Sequence, residues 1–187
     1  MPGYISAPAT RAEFASLPEW LWGELAAGKF FPATKSGGTD RIAESDVASA
    51  APPADGRIAS AGRAEAFQLD EPGTHWQKHH VASGETLDVQ WRFPVSNPTR
   101  RWSYFITKQN WNPFQPLARS QFDTDPFHSV ELTPQPYWTM QTELTPSNPT
   151  THQVPLPQRT GYHVLLATWE IADRGDAIYQ VIDLDFS

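Results

Sequence analysis

Histidines and carboxylates are the side chains of this 187-residue chain that could bind a metal ion or move a proton. The densest group of histidines is His75, His79 and His80. The interval from His75 to His79 would place both rings on one face of a helix. The segment leads into a predicted strand instead, so we interpret these histidines as a polar surface loop and as only a weak candidate metal site. His163 lies inside an apolar strand and is predicted to be a hydrogen-bonded structural histidine.

The carboxylates are crowded near the C-terminus, at Asp173, Asp176, Asp183 and Asp185. Paired carboxylates can hydrolyse glycosidic bonds, and Asp183 and Asp185 share one face of a predicted strand. We interpret the group as a solvated acidic edge, with hydrolysis as the alternative. The chain has no Gly-x-Ser-x-Gly turn, no phosphate-binding loop and no cysteine, so those catalytic classes are excluded.

Short strands must position these side chains. From about residue 86 onward, apolar and polar residues alternate, as at Leu87, Val89 and Trp91, which is typical of half-buried strands. Similar segments follow near residues 102–107, 130–132, 151–156, 162–171 and 177–186. Because the 18 prolines and the turn residues between the segments disfavour long helices, we predict an all-β, antiparallel sandwich of the immunoglobulin or fibronectin III type.

The first third of the chain has a different pattern. Residues 1–10 are predicted to form a short strand, and residues 11–24 to form helical turns interrupted at Pro18. The Ala-, Gly- and Pro-rich stretch that follows is too long for a simple connection. We therefore predict one domain, residues 1–187, with a loop and short-helix insertion at about residues 11–66.

Composition restricts the partners and the compartment. A formal net charge of −7 argues against nucleic acid or an anionic membrane, while a neutral polysaccharide such as chitin remains possible, as does a protein partner. The absence of cysteine excludes disulfides and thiol catalysis. The N-terminus lacks the basic and apolar regions of a signal peptide. We expect a cytoplasmic location for the chain as written, and secretion if an upstream signal has been removed.

Five collinear motifs carry a family resemblance. They are residues 3–8 (GYISAP), 55–61 (DGRIASA), 102–108 (WSYFITK), 161–173 (GYHVLLATWEIAD) and 179–184 (YQVIDL). Together they resemble the lytic polysaccharide monooxygenases of the chitin-binding type-4, or spindolin-like, family. The resemblance covers almost the whole chain. It implies a β-sandwich that acts on chitin or cellulose.

The resemblance also implies a copper site. In the family an N-terminal histidine and a second histidine bind one copper ion, and an aromatic side chain, usually phenylalanine, fills an axial position. Here Pro2, Asn97 and Ile178 stand at those three positions. Imidazole nitrogens suit copper, whereas these side chains do not. We therefore expect no cofactor and no catalytic residue at this site.

Aromatic residues have two interpretations. Trp91, Trp102 and Trp169 lie in predicted strands and are expected in the core. A second group lies in loops or in the insertion, where family members use aromatic and polar residues to contact crystalline polysaccharide. These candidate substrate-binding residues are Trp20, Trp22, Phe30, Phe31 and Trp138. The alternative role of each is to seal the insertion onto the sandwich.

We expect a non-catalytic relative of the monooxygenases that binds a glycan such as chitin or acts as an interaction module. One alternative is copper-dependent oxidative cleavage of chitin or cellulose through an unconventional site. Another is a host-directed or toxin-associated platform that binds proteins.

Overall fold

The computed structural model describes residues 1–36, 49–132 and 139–187, which form two β-sheets packed face to face. The strands in these ranges are β1 (Tyr4–Ala7), β2 (Ala26–Gly28), β3 (His79–Val81), β4 (Thr86–Arg92), β5 (Thr99–Ile106), β6 (His128–Glu131), β7 (Thr150–Pro155), β8 (Gly161–Ile171) and β9 (Asp176–Phe186). The α-helices are α1 (Arg11–Phe14), α2 (Glu19–Trp22) and α3 (Gln141–Leu144). Two 3₁₀ helices span Ala64–Asp70 and Arg119–Gln121.

The sheet topology confirms the predicted sandwich. One sheet has the order β1-β4-β7, and the other has the order β2-β9-β8-β5-β6. All of these neighbours are antiparallel, while β3 adds a parallel pairing to β9. The helical turns of α1 and α2 occur where they were predicted, on either side of Pro18. The strands β2 and β3 were not predicted.

The main core lies between the two sheets. Val89 and Trp91 of β4 are completely buried against residues of the second sheet such as Trp102 and Trp169. The three tryptophans that were predicted to pack in the core are all in it. Burial of such large apolar side chains is the dominant favourable contribution to folding.

The second sheet is also covered on its other face. The segment that precedes β3 packs Leu21, Leu25 and Ile58 against Leu166 and Tyr179. Because both faces of the sheet are covered, β8 is buried at nearly every position instead of alternating. The described part of the N-terminal third of the chain is therefore an integral layer of the domain. No helix in the described ranges is long and apolar enough to span a membrane.

A buried ion pair ties α1 to β9. Arg11 is only 3% exposed, and its Nε donates to Asp183 Oδ2 at 2.8 Å. Arg11 also donates to the carbonyl of Leu69 at 3.0 Å, and the Tyr162 hydroxyl donates to Asp183 Oδ1 at 2.8 Å. The interpretation of Asp183 as part of a solvated acidic edge is therefore wrong, because its side chain is buried. A buried carboxylate requires a compensating charge, which Arg11 supplies.

Candidate functional site

Two of the three positions that the resemblance assigns to copper meet around Trp169. Ile178 lies directly opposite Trp169 in the β8–β9 pairing. The indole Nε1 of Trp169 donates to Thr99 Oγ1 at 2.8 Å, and Thr99 follows Asn97 by two residues. The β-ladder and this hydrogen bond therefore bring Ile178 and the Asn97 loop to the same end of the second sheet.

The N-terminal segment reaches the same place because Gly3 has no side chain. A Cβ atom on Gly3 would lie 2.7 Å from the ring of Phe93 and 2.8 Å from that of Trp169. A Cβ atom on Gly23 would lie 3.1 Å from the carbonyl oxygen of Gly3. Both glycines allow the close approach that buries Pro2. All three predicted copper-site positions therefore converge around one tryptophan.

The side chains at these positions do not fit a copper ion held by imidazole. Pro2 and Ile178 are buried and carry no side-chain donor atom. Asn97 contributes a carboxamide, whose Oδ1 is buried and has no hydrogen-bond partner in the described part of the chain. Carboxamide oxygen suits hard cations such as calcium, whereas copper prefers several nitrogen ligands.

A cluster of charged residues, of which Lys29 and Glu170 are buried, supports this end of the sheet. Glu170 is nearly inaccessible, and burial raises its pKa, while the nearby Arg101 and Lys29 favour its ionised form. Its carboxylate accepts from Arg101 Nε at 2.8 Å and from the backbone N–H of Phe30 at 3.1 Å. Lys29 donates from Nζ to the carbonyl of Ile171 at 2.8 Å. These bonds fix the backbone that carries Phe30.

The candidate aromatic residues are in different environments. Among the candidates that the structure describes, Trp20 is the most accessible, at 54% exposed. Trp22 is half-buried, since its ring meets Tyr4 edge-on at 5.5 Å and its Nε1 donates to the carbonyl of Leu17 at 2.9 Å. Phe30 is also half-buried. These three side chains keep surface that could contact a ligand.

Phe31 is a structural residue instead. It is 6% exposed, and its ring packs edge-on against Phe105, Phe122 and Tyr179 at centroid distances of 5.1, 6.0 and 6.3 Å. A ring enclosed in this way has no face for a sugar, so the prediction of Phe31 as a substrate-binding residue is wrong. Trp138 lies outside the described residues.

The histidines of the weak candidate metal site have separate partners. The ring of His75 packs against that of Trp76 at a tilted angle, with the ring centroids 4.6 Å apart. His79 Nε2 lies 2.8 Å from the carbonyl oxygen of Ala9, and His80 Nδ1 lies 3.3 Å from Asp185 Oδ2. Within the described ranges, no three His, Asp or Glu side chains are grouped so that they could hold a metal ion. The structure therefore does not bring His75, His79 and His80 together as one site.

Two polar features were missed. The first is a chain of hydrogen bonds inside the sandwich, in which Trp91 Nε1 donates to Tyr104 Oη at 3.0 Å and Tyr104 Oη lies 2.6 Å from His152 Nδ1. The spacing of His152 and Val154 in a predicted strand was the available signal, since residues two apart share a face. The second is an amide-lined cleft in residues 108–121.

Comparisons with known proteins agree with this architecture. The family described as "Lytic polysaccharide mono-oxygenase, cellulose-degrading" matches residues 3–184. GlcNAc-binding protein A of Vibrio cholerae is 39% identical over 135 residues, which are 72% of this chain and 26% of that protein. The chain thus matches about a quarter of the length of this curated relative.

Two solved structures extend the likeness to the whole chain. A chitin-binding domain from Burkholderia pseudomallei is 46% identical with a TM-score of 0.94, covering 100% of this chain and 99% of that one. An AA10 lytic polysaccharide monooxygenase from Photorhabdus luminescens is 32% identical with a TM-score of 0.77, covering 99% and 98%. The overall fold of the described residues is therefore shared with these proteins.

Proposed function

The chain belongs to the lytic polysaccharide mono-oxygenase family, and from this membership we propose that it binds a chitin-type polysaccharide without the family's copper chemistry. The observation that carries the proposal is the set of side chains around Trp169. The neighbouring residues Gly3 and Thr99 approach this tryptophan, and Ile178 pairs with it, while none of the three assigned positions, Pro2, Asn97 and Ile178, carries an imidazole. The fold of the family is retained while the side chains at the copper positions have changed, which supports polysaccharide binding without oxidation.

Glycan binding needs no metal. Aromatic rings can stack on the apolar faces of sugar rings, and this contact is independent of oxidation chemistry. Trp20, Trp22 and Phe30 retain accessible surface and come from the insertion whose backbone Glu170 helps to fix. The names of the similar proteins, a GlcNAc-binding protein and a chitin-binding domain, point to the same class of ligand.

The net charge agrees with a neutral polymer. At −7, the protein would repel polyanionic glycans and nucleic acids, whereas chitin presents hydroxyl and acetamido groups and no charge. We therefore expect binding to β-chitin or α-chitin that changes little with salt, because charge–charge attraction would contribute little.

Two measurements test the proposal. In calorimetric titration with Cu(II), we expect no single site of submicromolar affinity. In a pull-down on insoluble chitin, we expect retention of the protein that persists in EDTA. Trp20→Ala should lower the retained fraction several-fold, because it removes the most accessible of the described candidate aromatic residues. Phe67→Ala, an exposed Phe elsewhere on the surface, is the control and should bind like the parent protein.

Opposite results would be equally clear. A single copper site of submicromolar affinity would refute the proposal that this protein lacks the family's copper chemistry. Oxidised oligosaccharides that form with ascorbate and copper, and disappear on chelation, would establish the copper-dependent alternative. No retention on chitin would refute glycan binding and favour the platform that binds proteins.

A further inference from the structure

An amide-lined cleft lies at the opposite end of the second sheet from Trp169. Its volume is about 380 Å³, within the range of small-ligand sites. Trp111 anchors it to β8, since its Nε1 donates to the carbonyl of Tyr162 at 2.7 Å. Tyr162 precedes Trp169 by seven residues in β8, a separation of roughly 23 Å along the strand. The cleft is thus spatially separate from the predicted copper positions.

The loop that forms the cleft is held by its own hydrogen bonds. The backbone N–H of Lys108 donates to the carbonyl of Gln121 at 2.8 Å, and Gln121 Nε2 donates to the carbonyl of Asn112 at 3.0 Å. A β-bridge between Thr107 and Phe122 closes the base of the loop. A site that is ordered before binding loses little conformational entropy when the ligand arrives.

Several polar groups of the cleft are available to a ligand. The side chains of Asn110 and Gln115 line it, are exposed, and form no hydrogen bond with any described residue. Between lining residues Asn112 and Gln115 lies Phe114, which is 70% exposed. The backbone N–H of Phe114 donates to Asn112 Oδ1 at 3.0 Å, which fixes the turn that carries the ring.

These groups match an uncharged sugar better than an ion. Each carboxamide can both donate and accept, as sugar hydroxyl and acetamido groups require, and an exposed aromatic ring can stack on a pyranose. Among the described residues that line the cleft, only Lys108 is charged, and its Nζ donates to the carbonyl of Ser120 at 3.0 Å. The lining therefore offers little attraction for an anion on a protein of net charge −7.

We propose that this cleft binds a short, soluble segment of an N-acetylated glucan, in addition to the surface around Trp20. The inference rests on the proposed glycan-binding function and adds a second contact region for the same class of ligand. Two contact regions at opposite ends of the domain would let one molecule hold a crystalline surface and a loose chain end.

The test uses the full chain and N,N′,N″-triacetylchitotriose as the probe, with NMR titration and calorimetry. We expect chemical-shift changes in residues 108–121. Phe114→Ala should weaken affinity about tenfold, the equivalent of one stacking contact. Asn110→Ala combined with Gln115→Ala should also weaken it several-fold. Phe67→Ala is the matched control, because it removes an exposed ring that lines a different surface, and it should leave affinity within twofold.

The outcomes separate the cleft from the proposed function. If the parent protein binds the trisaccharide and the substitutions at Asn110, Gln115 and the adjacent Phe114 change nothing, the cleft is not the site. If the parent protein is retained on insoluble chitin but does not bind the trisaccharide, the cleft inference fails while the proposed function stands. If it binds neither, both fail. A saturable response of residues 108–121 to an unrelated peptide but not to the trisaccharide would overturn the glycan assignment.

Discussion

Acidification should destabilise the protein through His152. This residue is 6% exposed, and its Nε2 has no hydrogen-bond partner among the described residues. Because Trp91 donates to the Tyr104 oxygen, the Tyr104 hydroxyl is free to donate to His152 Nδ1, which requires a neutral ring. Burial, together with the charge of nearby His128, lowers the pKa of His152 from 6.5 to about 4.

The sign and size of the effect follow from this pKa difference. The unfolded chain takes up a proton on His152 below about pH 6.5, whereas the folded chain resists until about pH 4. Stability is therefore fully present above pH 6.5 and declines as the pH falls through this window. The contribution of His152 is a loss of about 2 kcal/mol at pH 5 and about 3 kcal/mol at pH 4, relative to pH 7.

Urea unfolding at several pH values measures this loss. His152→Asn keeps an acceptor near the position of Nδ1 and cannot be protonated, so its stability should fall about 3 kcal/mol less between pH 7 and pH 4. His80→Asn is the control, because His80 is exposed and pairs only with Asp185 in the described structure. It should follow the parent protein. Parallel pH curves for the parent protein and His152→Asn would refute the reasoning.

Two further substitutions, together with one control, test the packing. Asp183→Asn should lower the free energy of unfolding by about 3–5 kcal/mol, because Arg11 would stay buried without its charge partner. Asp185→Asn, beside the exposed His80, should cost less than about 1 kcal/mol, and equal losses would contradict the difference in burial. Gly28→Ala should cost about 1–3 kcal/mol, since the new Cβ would lie 1.7 Å from the carbonyl oxygen of Ala50. If the urea midpoint of Gly28→Ala equals that of the parent protein, β2 does not pack closely against the backbone at Ala50.

Strands with a clear alternation were predictable, and short edge strands were not. Leu87, Val89 and Trp91 alternate with polar residues, so β4 and its buried face could be inferred directly. The strands β2 and β3 contain three residues each and show no pattern of their own. They form because β9 offers them backbone hydrogen bonds, which depends on the position of a segment about a hundred residues or more away.

The burial of individual polar and aromatic residues also could not be predicted from the sequence pattern of their own segment. Asp183 alternates like a surface residue, yet Arg11, 172 residues away, makes its burial possible. Phe31 occurs in a loop, but three rings from β5, β9 and the segment after β5 enclose it. Such contacts are set by the packing of distant segments, and periodicity within one segment carries no information about them.

The sequence by itself determined the family, the sandwich and the donor chemistry available at each position. Whether Asn97 can supply an imidazole is a covalent property of one residue, and no fold alters it. Only the tertiary structure decided that Asn97, Pro2 and Ile178 meet around Trp169, and that the amides of residues 108–121 face a common cleft. Convergence depends on strand register and on loops held by long-range hydrogen bonds, and both arise only when the whole chain packs.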